Sequence, residues 1–218
     1  MCARDETTPM TSDHSIRFFD QQFQRQTNAG DLALNPFEES ALPFLRGRVL
    51  DFGCGMGNLA IAAAKCGCSV VAVDASAAAI ESLQQRAFAE SLAIDVVLAD
   101  LRNYEVTEDF DAIVSIGLLM FFDCPTAFRC LANLQSHVRD DGFVIINVMV
   151  EGTTYLDMFA PDEHCLFSRT EMERRFADWN IISSEFRDFG APGERVKSFA
   201  TLIAQKPLTT HPPIPAAA

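Results

Sequence analysis

Short apolar runs alternate with amphipathic stretches through most of the chain. Arg48 to Phe52 is a brief apolar strand that stops at glycines. Asn58 to Cys66 is alanine-rich and helical, with Gly67 positioned to end it. Ser69 to Val73 is a β-branched run, the signature of a strand buried on both faces. Ser76 stands where it would N-cap a helix over Ala77 to Ala89. Ile94 to Leu98 and Phe110 to Ile116 read as the third and fourth strands, and Pro125 to Val138 as a helix. Asp141-Gly142 is expected to turn the chain into a fifth apolar strand, Phe143 to Val148. Strands alternating with helices imply right-handed crossovers and a parallel sheet covered on both faces.

The two ends break this rhythm. Residues 1–15 carry no apolar period and read as a disordered arm. Ile16 to Gln26 holds Phe18, Phe19 and Phe23 and predicts a short helix laid on the domain. A loop over Asn28 to Pro36 and a helix over Pro36 to Leu45 lead into the first strand. Late in the chain, Ser168-Arg169-Thr170-Glu171 matches a capping box and predicts a helix to about Trp179. Ile181 to Phe186 and Phe199 to Ala204 then read as an antiparallel hairpin around a Gly/Pro-containing loop. The expected organisation is one α/β domain over 16–207 and a Pro/Ala-rich tail over 208–218.

Composition narrows the classes. Of 218 residues, 49% are hydrophobic, enough for a sizeable core. The net charge of −13 argues against a sequence-independent nucleic-acid binder and against a protein held on anionic membranes. A small-molecule substrate is the better expectation, with the chain a monomer or homodimer. The 7 cysteines follow no framework of spacings, and residues 1–15 show no signal peptide. Both features favour the cytoplasm and free thiols, with Cys124 and Cys130 on or beside a helix and Cys165 the most redox-exposed. Cys66-Gly67-Cys68 lacks a second Cys/His pair, so no metal site is expected.

Candidate chemistry gathers at the carboxyl ends of the strands, where open parallel sheets bind ligands. Asp51-Phe52-Gly53-Cys54-Gly55-Met56-Gly57 joins the first strand to the first helix. Glycines there permit positive φ and let a ligand approach bare backbone, to which Cys54 contributes its main chain. Asp51 is placed to meet an ammonium group. Asp74, followed by Ala75, ends the second strand, where a carboxylate can accept both hydroxyls of a ribose. Asp100 follows the third strand, where it can accept from an adenine amino group while Leu101 packs on the ring. A nicotinamide dinucleotide competes for such a loop, but its G-x-G-x-x-G would need glycine at 58, where Asn58 stands. Asp51 would also repel a pyrophosphate.

Val49 to Leu59, Val70 to Ser76, Asp100-Leu101, Phe110 to Ser115 and Asp141 to Asn147 together resemble the class I S-adenosylmethionine-dependent methyltransferases. The resemblance spans most of residues 45–206. It implies a Rossmann-like, doubly wound, seven-stranded sheet whose last strand is antiparallel. It further implies S-adenosylmethionine as cofactor, lined by the residues matching Asp51, Gly53, Gly55, Asp74, Asp100 and Ser115. Ile116 to Phe122, Phe167 to Trp179 and Lys197 to Leu202 are similar to the tellurite-resistance branch, which implies methylation of tellurium or selenium oxyanions. That branch carries a His-Arg pair and a longer loop before its last strand. Here the loop, Gly190 to Lys197, is short and keeps only Arg195. Enzymes that methylate amides or nucleobase amines resemble one another in an Asn/Asp-Pro-Pro-aromatic motif, replaced here by Ser115-Ile116-Gly117-Leu118.

The acceptor is less legible. Met120 and Phe121 can wall a pocket, His164 sits in an insertion that can form a lid, and Arg195 can hold an anion. Sulfur, selenium or tellurium nucleophiles need no base, whereas oxygen or nitrogen usually does. The sequence offers no compelling base. The leading expectation is methyl transfer to a small acceptor, a tellurium/selenium oxyanion or a thiol. The alternative is a non-catalytic module that senses S-adenosylmethionine or S-adenosylhomocysteine.

Overall fold

A computed structural model describes residues 32–160 and 163–208. The expected arm over 1–15, the helix over Ile16 to Gln26 and nearly all of the tail lie outside the described residues. The strands are β1 (Arg48–Phe52), β2 (Ser69–Asp74), β3 (Ile94–Leu98), β4 (Phe110–Ile116), β5 (Val138–Met149), β6 (Asn180–Ala191) and β7 (Arg195–Gln205). They form one sheet in the order β3-β2-β1-β4-β5-β7-β6. The first five run parallel, and β7 is antiparallel to both β5 and β6. This is the expected mixed, doubly wound sheet. Its order reverses at β1, which lies between β2 and β4, so a crevice opens beyond the carboxyl ends of these strands.

The helices are α1 (Pro36–Ala41), α2 (Asn58–Lys65), α3 (Ala77–Ala89), α4 (Cys124–Ser136) and α5 (Arg169–Arg175). α3 has the bounds its pattern predicts: Ser76 Oγ accepts from the Ala79 N–H at 3.2 Å, and Ala79, Ile80, Leu83 and Ala87 form its buried stripe. One sheet face packs Leu50, Phe52, Val71 and Ile113 against Leu131 and Leu134 of α4. The other packs Val49, Val70, Ala72 and Val114 against Leu59 of α2 and Ile80 and Leu83 of α3. Each large side chain so buried contributes about 1.5–3 kcal/mol.

Several boundaries differ from the sequence expectation. β5 begins at Val138, not Phe143, and Asp141-Gly142 makes an irregularity inside the strand rather than a turn before it. Asp141 takes φ 63° and is held by Arg46 and Gln205, which donate to it at 2.7 Å each. α4 accordingly stops at Ser136. α5 ends at Arg175, short of Trp179, because Phe176 leaves the helix to fill the core and Trp179 meets its ring edge-on. β6 and β7 extend further than read, closing through a turn at residues 192–194. The outer half of β6 is largely exposed, and that of β7 is half-buried.

Two cysteines correct the expectation of free thiols. Cys124, the first residue of α4, is disulfide-bonded to Cys165, 41 residues later. Cys54, Cys66, Cys68 and Cys130 are free. Sequence spacing gave no warning of the pair, because the fold brings the segment after β5 back over the start of α4. The Cys165 N–H donates to the Met120 carbonyl at 3.0 Å.

Candidate active site

A cavity of about 530 Å³ opens at the carboxyl ends of β1, β2 and β4, roofed by residues 33–38 on one side and β7 on the other. The glycine loop forms its floor. Gly53 and Cys54 donate to the Val73 carbonyl at 2.8 and 3.1 Å, pinning the loop to β2. Gly57 caps α2 at φ 70°, and a Cβ there would lie 2.4 Å from Leu83 Cδ1. Arg86 of α3 donates to the Met56 carbonyl at 2.8 Å and to Asn58 Oδ1 at 3.1 Å, fixing the loop from behind.

Three carboxylates line the cavity in different states. Asp74 is built into the loop: its oxygens accept from the Gly55 and Ser76 N–H groups at 2.8 Å each. Asp100 accepts from the Arg102 N–H at 3.1 Å and from Asn103 at 2.7 Å, beside the buried Leu101. Asp51 is 5% exposed, and its Oδ2 has no hydrogen-bond partner. Burial, then the charges of Glu38 and Asp74, push its carboxyl up to about 8. Burial foremost also raises Cys54, which keeps it a thiol.

The opposite end is apolar and sulfur-rich. Met120, Phe121, Met158 and Phe199 line it, backed by Met149 and Phe159. Lys197 and Asn147 are its polar groups. Lys197 makes no ion pair among the described residues; its Nζ lies 4.7 Å from the Tyr155 ring centre. Asn147 is fully buried at the end of β5, donating to Thr201 Oγ1 at 2.9 Å while its Oδ1 has no partner.

Of the residues singled out from sequence, Asp51, Gly53, Cys54, Gly55, Asp74, Ala75, Asp100, Leu101, Met120 and Phe121 all line this one cavity. Ser115, His164 and Arg195 do not. Ser115 is fully buried on the same strand face as Ile113, and Ile116 to Leu118 reach the cavity instead. His164 stacks on Phe159 at 4.9 Å between ring centres. Arg195 pairs with Asp157 at 2.6 Å and lies over Tyr155; Lys197, two residues on along β7, faces inward.

Residues 49–142 match the family described as methyltransferase domain. The chain is 27% identical over 166 residues to the probable S-adenosyl-L-methionine-dependent methyltransferase TehB of Haemophilus influenzae, covering 73% of this chain and 57% of that protein. It is 28% identical over 170 residues to hemagglutinin 1 of Eikenella corrodens, covering 73% and 55%. The chain thus spans little more than half the length of these curated relatives. Its fold matches the crystal structure of Haemophilus influenzae TehB with a TM-score of 0.70 at 22% identity, over 83% of this chain and 65% of that one. It also matches the N-methyltransferase NodS of Bradyrhizobium japonicum in complex with S-adenosyl-L-homocysteine, with a TM-score of 0.67 at 18% identity, over 89% and 99%.

Residues 49–142 thus match a methyltransferase-domain family, and the chain is similar in sequence and fold to TehB-like S-adenosylmethionine-dependent methyltransferases.

The residues present suit that family's cofactor. A buried carboxylate with an unpartnered oxygen, as at Asp51, asks for a cation, and the cofactor's amino-acid end brings an ammonium. The cavity is also lined by residues that sequence reading passed over. Glu38 and Phe37 enter the cavity from α1, Arg102 follows the Asp100 turn, and Asn147, Met158, Lys197 and Phe199 form the far wall. Asn147 did leave a signal, as the one polar residue in the apolar run Phe143 to Val148. Lys197 and Phe199 share one face of a strand by their spacing, but nothing in the sequence says that this face meets Met120.

Proposed function

We propose that the chain transfers the methyl group of S-adenosylmethionine to a small, anionic acceptor with a soft nucleophilic atom: a tellurium or selenium oxyanion, or a thiol. The observation that carries this reading is the division of one cavity into two unlike ends. One end presents Asp51, Asp74, Asp100 and the glycine loop; the other presents thioether and aromatic walls with Lys197. The whole cavity falls toward the small end of ligand pockets, so little room remains beside a bound cofactor.

When bound, the cofactor supplies a methyl group already activated on a sulfonium. The chain's residues then need chiefly to position the acceptor in line, the effect with the largest reach in such reactions. Lys197 draws the anion in and holds it. Met120, Phe121, Met158 and Phe199 exclude water and offer polarisable contacts to a heavy chalcogen atom. The nucleophile's own lone pair would make the new bond as the sulfonium's methyl C–S bond breaks, which suits a cavity wall without a histidine among the described residues. The net charge of −13 and the small cavity keep nucleic acids and membranes outside the proposed acceptors. Cytoplasmic residence belongs to the same proposal; a reducing pool there would act on Cys124–Cys165.

The test is transfer of labelled methyl groups to tellurite, selenite, small thiols and, for contrast, small carboxylic acids. Transfer to a chalcogen nucleophile is expected, with Lys197→Met raising KM about tenfold or more and leaving cofactor affinity unchanged. Cofactor binding without transfer to any of these would favour the sensing module instead.

A further inference from the structure

A second carboxyl group enters the cavity from outside the strand-and-loop frame. Glu38 lies on α1, ahead of β1, and lines the same cavity as Asp51. α1 is placed by two devices. Asn35 Oδ1 accepts from the Phe37 and Glu38 N–H groups at 2.9 and 3.1 Å, and Glu38 Oε2 accepts from the Asn35 N–H at 2.8 Å, closing a reciprocal capping box. Phe37 packs on Phe199 of β7 and Phe189 of β6, with ring centres 5.3 and 5.8 Å apart. The capping bond uses only one carboxylate oxygen of Glu38.

In the same cavity, Asp51 keeps a nearly fully buried oxygen with no partner. Glu38 is close enough for its charge to raise the Asp51 carboxyl, second only to burial. Two carboxyl groups lining one cavity are not readily ionised together until a cation stands between them. The cations lining the cavity do not fill that role. Lys197 lies toward the acceptor end, and Arg102 reaches Glu163 and the Phe121 carbonyl.

We propose that Glu38 is a cofactor-binding residue: with Asp51 it holds the ammonium of the cofactor's amino-acid moiety, so α1 acts as a clasp that distinguishes S-adenosyl amino acids from adenosine thioethers lacking that moiety. The inference rests on the cofactor reading above and adds a residue to it.

Glu38→Gln isolates the charge. Glutamine at this position of a capping box still accepts from the N-cap N–H, so α1 keeps its local support. Calorimetric titration of the full chain with S-adenosylhomocysteine, which carries the ammonium, and with 5′-methylthioadenosine, which lacks it, reads the effect. Glu38→Gln is expected to weaken S-adenosylhomocysteine binding about 10–100-fold and to leave 5′-methylthioadenosine within about twofold. Unchanged affinity for both ligands would overturn the proposal. An equal loss for both would also overturn it, because Glu38 would then serve only to place α1. A wild-type chain that binds neither ligand would instead remove the cofactor reading on which the proposal stands.

Discussion

Asp51→Asn tests the electrostatics of the site through stability alone, without any ligand. Burial first, then Glu38 and Asp74, raise this carboxyl from 3.8 to about 8. The folded chain therefore keeps a proton on Asp51 at pH values where the unfolded chain has released it. The folded state binds more protons between about pH 4 and pH 8, so this group's contribution to stability falls as pH rises through that window. At about 1.4 kcal/mol per unit, the roughly three units from 3.8 to pH 7 correspond to about 4 kcal/mol lost at neutral pH. Asparagine has nearly the same shape and no charge, so Asp51→Asn removes this slope. Its amide gains hydrogens that need partners, which takes back about 1–3 kcal/mol. The expected net effect at pH 7 is a ligand-free protein more stable by about 1–3 kcal/mol.

Urea denaturation of both proteins at pH 5, 6, 7 and 8 makes the comparison. Asp111, Asp123 and Glu171 have lowered carboxyls and act with the opposite sign, losing stability only as pH falls below the ordinary carboxylate range. They are present in both proteins, so the difference between the two profiles belongs to Asp51 and the groups coupled to it. The wild-type curve should fall relative to the variant by several kcal/mol between pH 5 and 8. Parallel profiles would refute the assignment of a proton to buried Asp51. The same substitution should weaken S-adenosylhomocysteine binding at least about tenfold, a residue kept for function at a cost to stability.

Gly57→Ala places a side chain at φ 70° against Leu83 and should destabilise the chain by about 2–4 kcal/mol, read as a lower Tm. Reduction of Cys124–Cys165, which closes a loop across 41 residues, should cost about 2–4 kcal/mol. Iodoacetamide followed by mass spectrometry should then modify these two thiols only after reductant, while exposed Cys66 reacts throughout; modification without reductant counts against the bridge. Arg195→Ala should leave acceptor KM within about twofold, since its charge is spent on exposed Asp157, in contrast to Lys197→Met. Asp74→Ala removes the acceptor for the Gly55 and Ser76 N–H groups and should abolish measurable cofactor binding at micromolar concentrations, checked by calorimetry.

The parallel half of the fold was legible because each of its signals is local. The Val70 to Val73 run can hardly be placed except in a sheet covered on both faces, and Ser76 caps the helix that begins beside it. β1, α3, β3 and β4 have the bounds their patterns imply. The boundaries that moved are those set by tertiary contacts. Asp141-Gly142 reads as a turn, and Arg46 and Gln205 hold it inside a strand. Phe176 belongs to a helical pattern, and the core takes it out of the helix.

The same distinction divides the cavity. The proposed cofactor end is made by residues that directly follow parallel strands, so their position along the chain already states their position in space. Asp51, Asp74 and Asp100 are each found by knowing where a strand stops. The acceptor end has no such rule. Lys197 and Phe199 come from an antiparallel strand, Met120 and Phe121 from a short turn after β4, and Met158 from a loop anchored beyond it at Cys165. Their meeting depends on β7 inserting between β5 and β6 and on a disulfide that joins two distant segments. Arg195 and Lys197 are two residues apart on β7 and share a strand face, both meeting the Tyr155 ring; Arg195 stands next to the turn at residues 192–194, and Lys197, further along the strand, lines the cavity. The difference between them follows from partners: Arg195 already has Asp157, and Lys197 lines the cavity without an ion pair among the described residues.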